Sequence, residues 1–194
     1  MDTIDPDALD RADMARLVGG QDVALNDLMD RHAATVFQFL CRMLGNEDDA
    51  NDLAQETFVR VFQNCARFKP EARFTTWLYT IAGNLARNHH RWRARHPNVS
   101  LDAPGDHVEG SLSEVLPAAE VSPGEAAAKA ERANAVRAAV QRLPEDLREA
   151  VILCEWQDLP VAQAAAVLQT TPKAVESRLY RARQRLREQL AAWL

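Results

Sequence analysis

Apolar residues recur at spacings of three and four through nearly every long segment of this chain, and no segment alternates apolar with polar as a half-buried strand does. That periodicity restricts the chain to an all-α fold. A first helix is expected over Val23 to Leu44, with Leu25, Leu28, Met29, Val36, Phe39, Leu40 and Met43 on its apolar side and Gly45 as its C-terminal stop. A second should follow at once. Glu47, Asp48 and Asp49 suit the positive end of a helix, and Leu53, Phe58, Val61 and Phe62 form the expected buried stripe. Beyond Pro70, the segment from Phe74 to about Arg93 carries Phe74, Trp77, Leu78, Ile81 and Leu85 at helical intervals, until Pro97 ends it.

Between Pro97 and Gly124 the composition shifts to four prolines, three glycines, four serines and several acids, without Lys or Arg. This stretch reads as a flexible acidic linker. Helical spacing resumes from about Glu125 to Leu143 and again from Glu145 to Trp156, with Pro144 suited to the first helical position. Leu159 and Pro160 make a break, Val161 to Leu168 form a short alanine-rich helix, and Thr170, Thr171 and Pro172 lead into a last helix from Lys173 to about Trp193. The economical organisation is two small helical domains, 1–96 and 125–194, joined by the linker 97–124.

Several classes of function are disfavoured. No apolar run approaches the roughly 18 to 20 residues that span a bilayer, and the acidic start from Met1 to Asp10 is unlike a signal peptide, so a cytoplasmic chain is expected. Cys41, Cys65 and Cys154 are odd in number and far apart, which disfavours a disulfide framework or a CxxC metal site and predicts buried, reduced thiols. His89 and His90, adjacent on a helix, point to different sides and make a poor metal pair. With no glycine-rich phosphate loop, HExxH, paired catalytic carboxylates or nucleophile motif, neither an enzyme, a cofactor, a metal nor a small-molecule substrate is expected.

The net charge of −5 conceals two basic stretches. Arg87 to Arg95 holds four arginines, two histidines and no acid, and Lys173 to Arg187 holds six basic residues against Glu176 alone. Local clustering, rather than the sum, decides whether phosphates can be bound. The C-terminal cluster also has the layout of a helix-turn-helix: a short helix with small residues at Ala162, Ala164, Ala165 and Ala166, a polar turn, then an arginine-rich helix. Ser177, Arg178, Arg181 and Arg185 share one face of that helix, and Val175, Leu179, Ala182 and Leu186 the opposite one. Arginine forks pair with guanine edges or phosphates, and the Ser177 and Tyr180 hydroxyls can bond to phosphates. An arginine-rich helix alone equally fits a solvated surface helix.

Longer motifs narrow the choice. Leu143-Pro-Glu-Asp-Leu-Arg-Glu-Ala-Val, Ala162 to Leu168 and Ala174-Val-Glu-Ser-Arg-Leu-Tyr-Arg-Ala-Arg-Gln-Arg-Leu-Arg together resemble the sigma4 domain of extracytoplasmic-function sigma factors. Asp48-Asp-Ala-Asn-Asp-Leu-Ala-Gln-Glu-Thr-Phe-Val-Arg-Val-Phe resembles that family's polymerase-clamp helix, and Phe74-Thr-Thr-Trp-Leu-Tyr-Thr-Ile-Ala-Gly-Asn-Leu-Ala-Arg-Asn its promoter-melting segment. The resemblance runs from about Leu17 to Leu190.

It implies an alternative sigma factor that takes core RNA polymerase to particular promoters. The sigma2 domain would bind the beta-prime clamp helices through Asp49, Asp52, Leu53, Gln55 and Glu56. Asn84 would enter the pocket for a melted minus-ten base, and Arg87, Asn88, Arg91 and Arg93 would hold that strand, a contact weakened by salt. Trp77 matches the family pattern too, but its spacing with Phe74 and Ile81 places it in the core. The sigma4 domain would meet the beta flap and read duplex promoter DNA at the minus-thirty-five element through Lys173, Glu176, Ser177, Arg178, Tyr180, Arg181 and Arg185. An anti-sigma factor, often membrane-bound in this family, is the implied regulator, and no further regulatory domain is expected after Leu194.

One departure is visible. Where relatives often carry a Gly-Thr-Val-Lys-Ser-Arg-like run, this chain has Lys173-Ala-Val-Glu-Ser-Arg; glutamate accepts a bond from cytosine but repels phosphate. A repressor or activator with a C-terminal helix-turn-helix is the competing reading; it would bind duplex without polymerase.

Overall fold

The computed structural model describes residues 6–96 and 123–193, and no strand occurs among them. Most of the expected linker 97–124 lies outside the described residues; its last two, Pro123 and Gly124, already belong to a helix.

The N-terminal half consists of α1 (Pro6–Val18), α2 (Ala24–Leu44), α3 (Glu47–Gln63) and α4 (Phe74–Arg95). Gly45 adopts φ 71°, the left-handed conformation that closes a helix, and its N–H bonds to the Cys41 carbonyl. Asn46 immediately caps α3 by accepting the Asp49 N–H at 2.8 Å, so α2 and α3 form a hairpin with a two-residue connection. Val36, Phe39, Leu40 and Met43 of α2 are buried with Ala50, Ala54, Phe58 and Val61 of α3 and Phe74, Leu78, Tyr79 and Ala82 of α4. Phe39 meets Tyr79 edge-on at 5.2 Å, and Phe68, Phe74 and a partly buried Trp77 form an aromatic cluster, in keeping with the core reading of Trp77.

Periodicity did not reveal α1, because half of its inner face is carboxylate. Asp10 and Asp13 are buried beside Met14 and Leu17. Arg31 bridges both carboxylates, at 3.0 Å to Asp10 and 2.5 Å to Asp13; His32 also meets Asp10, and Arg16 meets Asp13. Burial pushes the Asp13 carboxyl up, but the bonds from Arg31 and Arg16 outweigh it and hold the group below its ordinary value.

The C-terminal half contains α5 (Pro123–Gln141), α6 (Glu145–Val151), α7 (Val161–Val167) and α8 (Pro172–Gln189). Pro144 caps α6 from outside, with extended ψ, rather than serving as its first residue. A widened π turn, Ile152–Trp156, prolongs α6. Ala164, Ala165 and Val167 of α7 are buried against Val175, Leu179 and Ala182 of α8; Ala162 and Ala166 face outward.

Two other expectations need correction. Phe62 is 42% exposed and Leu53 only partly buried, because α3 turns Ala50, Ala54, Thr57, Phe58 and Val61 toward its neighbours. All three cysteines are free but half-buried.

The two halves share one continuous apolar core. At their junction, Gln141 Nε2 donates to the Arg42 carbonyl at 2.6 Å, and Arg148 Nη1 donates to the Met43 carbonyl at 2.7 Å. These carbonyls lie in the last turn of α2, which has no intrahelical donors left for them. Tyr79 completes the contact by donating its hydroxyl to Gln157 Oε1 at 2.5 Å.

Candidate nucleic-acid interfaces

Arg87, Asn88 and Arg91 follow Asn84 on α4 at intervals of three and four and share its face. Arg87 donates to Asn84 Oδ1 at 2.7 Å, and Arg91 donates to Asn88 Oδ1. The amides are thus fixed by neighbouring guanidiniums, leaving planar groups in a row that suits a single strand. Arg93 does not join them. It lies half a turn away and bonds across to Asp49 of α3 at 3.1 Å, where His89 also meets the same carboxylate. Beyond it Trp92, 45% exposed, stacks on His96.

The α4 face borders a cleft of about 620 Å³. Asn84, Arg87 and Arg91 line one wall, and Glu145, Asp146, Glu149 and Arg178 of the C-terminal half line the other. Glu149, 2% exposed, forms an ion pair with Arg87. Burial pushes its carboxyl above the ordinary range despite the opposing effect of Arg87. Sequence reasoning passed over Glu149, since a glutamate on a short helix carries no sign of burial.

On α8, Thr171 caps the N-terminus by accepting the Ala174 N–H at 3.2 Å, and Pro172 opens the helix. The buried Val175, Leu179 and Ala182 turn Lys173, Glu176, Ser177, Tyr180 and Arg181 outward along a shallow groove. Arg185 continues this exposed face. Arg178 lies apart, turned inward toward Asp146 at 3.6 Å. The Ser177 hydroxyl donates to the Lys173 carbonyl, and the Tyr180 hydroxyl accepts from Gln184.

A third surface follows α3. Asp52 and Gln55 are exposed, and Glu56 pairs with Arg60 at 2.8 Å. Val59, 46% exposed, and Phe62 extend this stripe, so its start is acidic and its end apolar. Asp49 is turned away toward α4, and Leu53 packs against the core. The reading of Phe62 as core hid this apolar end; its position one residue past Val61 was the available signal.

Residues 28–96 match the family model described as Sigma-70 region 2, and residues 133–186 match Sigma-70, region 4. The ECF RNA polymerase sigma factor SigW of Bacillus subtilis is 34% identical over 173 residues, covering 89% of this chain and 91% of SigW. RNA polymerase sigma factor CarQ of Myxococcus xanthus is 34% identical over 177 residues, covering 91% and 95% of the two chains. Among solved structures, CnrH in complex with the cytosolic domain of CnrY is 27% identical, with a TM-score of 0.70 over 95% of this chain and 98% of that one. With both regions matched in order and relatives aligned along nearly their whole lengths, the chain belongs to the ECF RNA polymerase sigma factors of the sigma-70 family.

Proposed function

We propose that this initiation factor divides its work among the three surfaces. The α3 stripe of Asp52, Gln55, Glu56, Val59 and Phe62 docks on the beta-prime clamp helices of core RNA polymerase. Asn84, Arg87, Asn88 and Arg91 of α4 hold the melted minus-ten strand. Lys173, Glu176, Ser177, Tyr180, Arg181 and Arg185 of α8 enter the major groove at the minus-thirty-five element, with the C-terminal half seated on the beta flap.

The observation that carries this reading is the presence of two differently built basic faces on one chain. The α4 row of amides and guanidiniums suits unstacked bases. The α8 face, seated on a buried apolar side, suits duplex. A duplex-binding regulator needs only the second. In this division the chain is not an enzyme: it positions DNA, and the polymerase performs synthesis. Among the described residues no helix is long and apolar enough to cross a membrane, which supports a cytoplasmic site of action. The CnrH structure contains the cytosolic domain of CnrY, and this, with the family resemblance, supports an anti-sigma polypeptide as the regulator here, often anchored in a membrane.

Run-off transcription with core polymerase on a pool of genomic promoter fragments tests the reading. Starts that require the chain are expected, with Asn84→Ala losing open-complex formation while keeping polymerase binding. Tight duplex binding without polymerase and no chain-dependent start would favour a repressor or activator.

A further inference from the structure

Gly83 stands in the interior of α4, where glycine is the poorest ordinary helix former. A Cβ there would lie 2.6 Å from Glu149 Oε1 of α6; its next neighbour would be the guanidinium of Arg87, at 3.3 Å. The space that glycine leaves is therefore used by the opposite half of the chain. Through it the Glu149 carboxylate reaches Arg87, which in turn holds Asn84. A carboxylate on a guanidinium has the chemistry of a phosphate or base-edge contact, so Glu149 occupies Arg87 as nucleic acid would. Nearby, Gln141 and Arg148 bond to the last turn of α2, Tyr79 bonds to Gln157, and the Arg42 guanidinium lies over the Trp156 ring at 5.6 Å. The α3 stripe of Asp52, Gln55, Val59 and Phe62 stays exposed in this arrangement.

We propose that the free chain rests in a closed state in which Glu149 of α6 occupies Arg87 and α6 faces Asn84 across the cleft, Glu149 standing in for the strand, while the α3 surface remains open. The proposal rests on the assignment of the α4 face to the minus-ten strand. Glu149 is an intramolecular competitor, and Gly83 is what admits it. A closed chain binds strand with an affinity reduced by its open fraction.

The test uses the full chain without polymerase, fluorescein-labelled single-stranded DNA of mixed sequence, and small-angle scattering. Glu149→Gln removes the charge and keeps the volume; Gly83→Ala keeps the charge and crowds it. Circular dichroism checks that both variants remain folded. Each is expected to bind strand more tightly, by about tenfold if the open fraction rises from about a tenth to near one, and to have a larger radius of gyration. Unchanged affinity and size in both variants would overturn the closed state. So would tighter binding by Glu149→Gln alone without expansion, which would be a local charge effect. Adding Arg87→Ala to Glu149→Gln separates the underlying reading: an expanded chain whose strand binding ignores Arg87 would keep the closed state and remove α4 from the minus-ten site.

Discussion

Replacing Arg148 with alanine removes the most heavily bonded side chain at the junction of the two halves. Its Nη1 donates to the Met43 carbonyl at 2.7 Å, and its Nη2 donates to the Gln141 and Leu143 carbonyls at 2.6 and 3.1 Å. Burial holds its pKa below the ordinary arginine value, and its Nε is buried without a partner. Bonds to a charged group contribute about 1.5 to 3 kcal/mol each, and the unmet donor lowers the figure to about 1 kcal/mol for each of the bonds made, a loss of about 3 kcal/mol in all. For a chain of this size the loss lowers Tm by about 6 to 12 °C. Lysine at this position keeps the charge but cannot span three carbonyls with one ammonium, so Arg148→Lys should recover only about a third of the loss. Exposed Arg142 is the control, with Arg142→Ala expected to change stability by no more than about 0.5 kcal/mol. Thermal unfolding followed by circular dichroism gives the comparison. If Arg148→Ala melts within about 2 °C of Arg142→Ala, the carbonyls are satisfied without Arg148 and the reasoning fails.

Asp13→Asn should lower stability at neutral pH by about 2 kcal/mol, because Arg31 and Arg16 lose their shared carboxylate. Since Asp13 titrates below its ordinary value of 3.8, the wild-type advantage is full above that value and shrinks as pH falls through the lower, folded-state value; urea titrations at neutral and acid pH should converge. Burial, reinforced by Glu47, pushes the Cys41 thiol up to about 11, so iodoacetamide should label it far more slowly at pH 8 than it labels a free thiol, as mass spectrometry can follow. Arg93→Ala should weaken strand binding by polymerase holoenzyme much less than Arg91→Ala, because Arg93 faces Asp49; equal losses by fluorescence anisotropy would return Arg93 to the binding row.

The helices legible in the sequence were those with an apolar inner face. The α2 and α4 stripes and the α8 seat of Val175, Leu179 and Ala182 announce themselves at intervals of three and four, and their apolar positions are buried or, at Leu25, Met29, Trp77 and Ile81, partly buried against the core. By the same logic α1 was illegible. Its inner face is held by Asp10 and Asp13, whose burial depends on Arg31, a partner 21 and 18 residues away. Spacing within a helix cannot report a partner on another helix. Phe62 fails in the opposite direction: an apolar residue at the end of a good stripe, turned outward by a rotation of one position.

The candidate sites divide along the same line. Residues proposed to act from one exposed helical face, such as Ser177, Arg181 and Arg185, are placed there by local geometry, and their shared exposure was readable in advance. Arg178 and Arg93 occupy equally basic segments, yet each is drawn aside by an acid from another helix, Asp146 and Asp49 respectively. Arg87 is the instructive intermediate. Its place beside Asn84 follows from helix spacing, but its present partner, Glu149, lies 62 residues further along the chain and is admitted only because position 83 has no Cβ. A glycine inside a helix is a local cost that calls for a non-local explanation, and here the explanation is the carboxylate that occupies its space. The signal was therefore present in the sequence, but only the fold could say what it admitted.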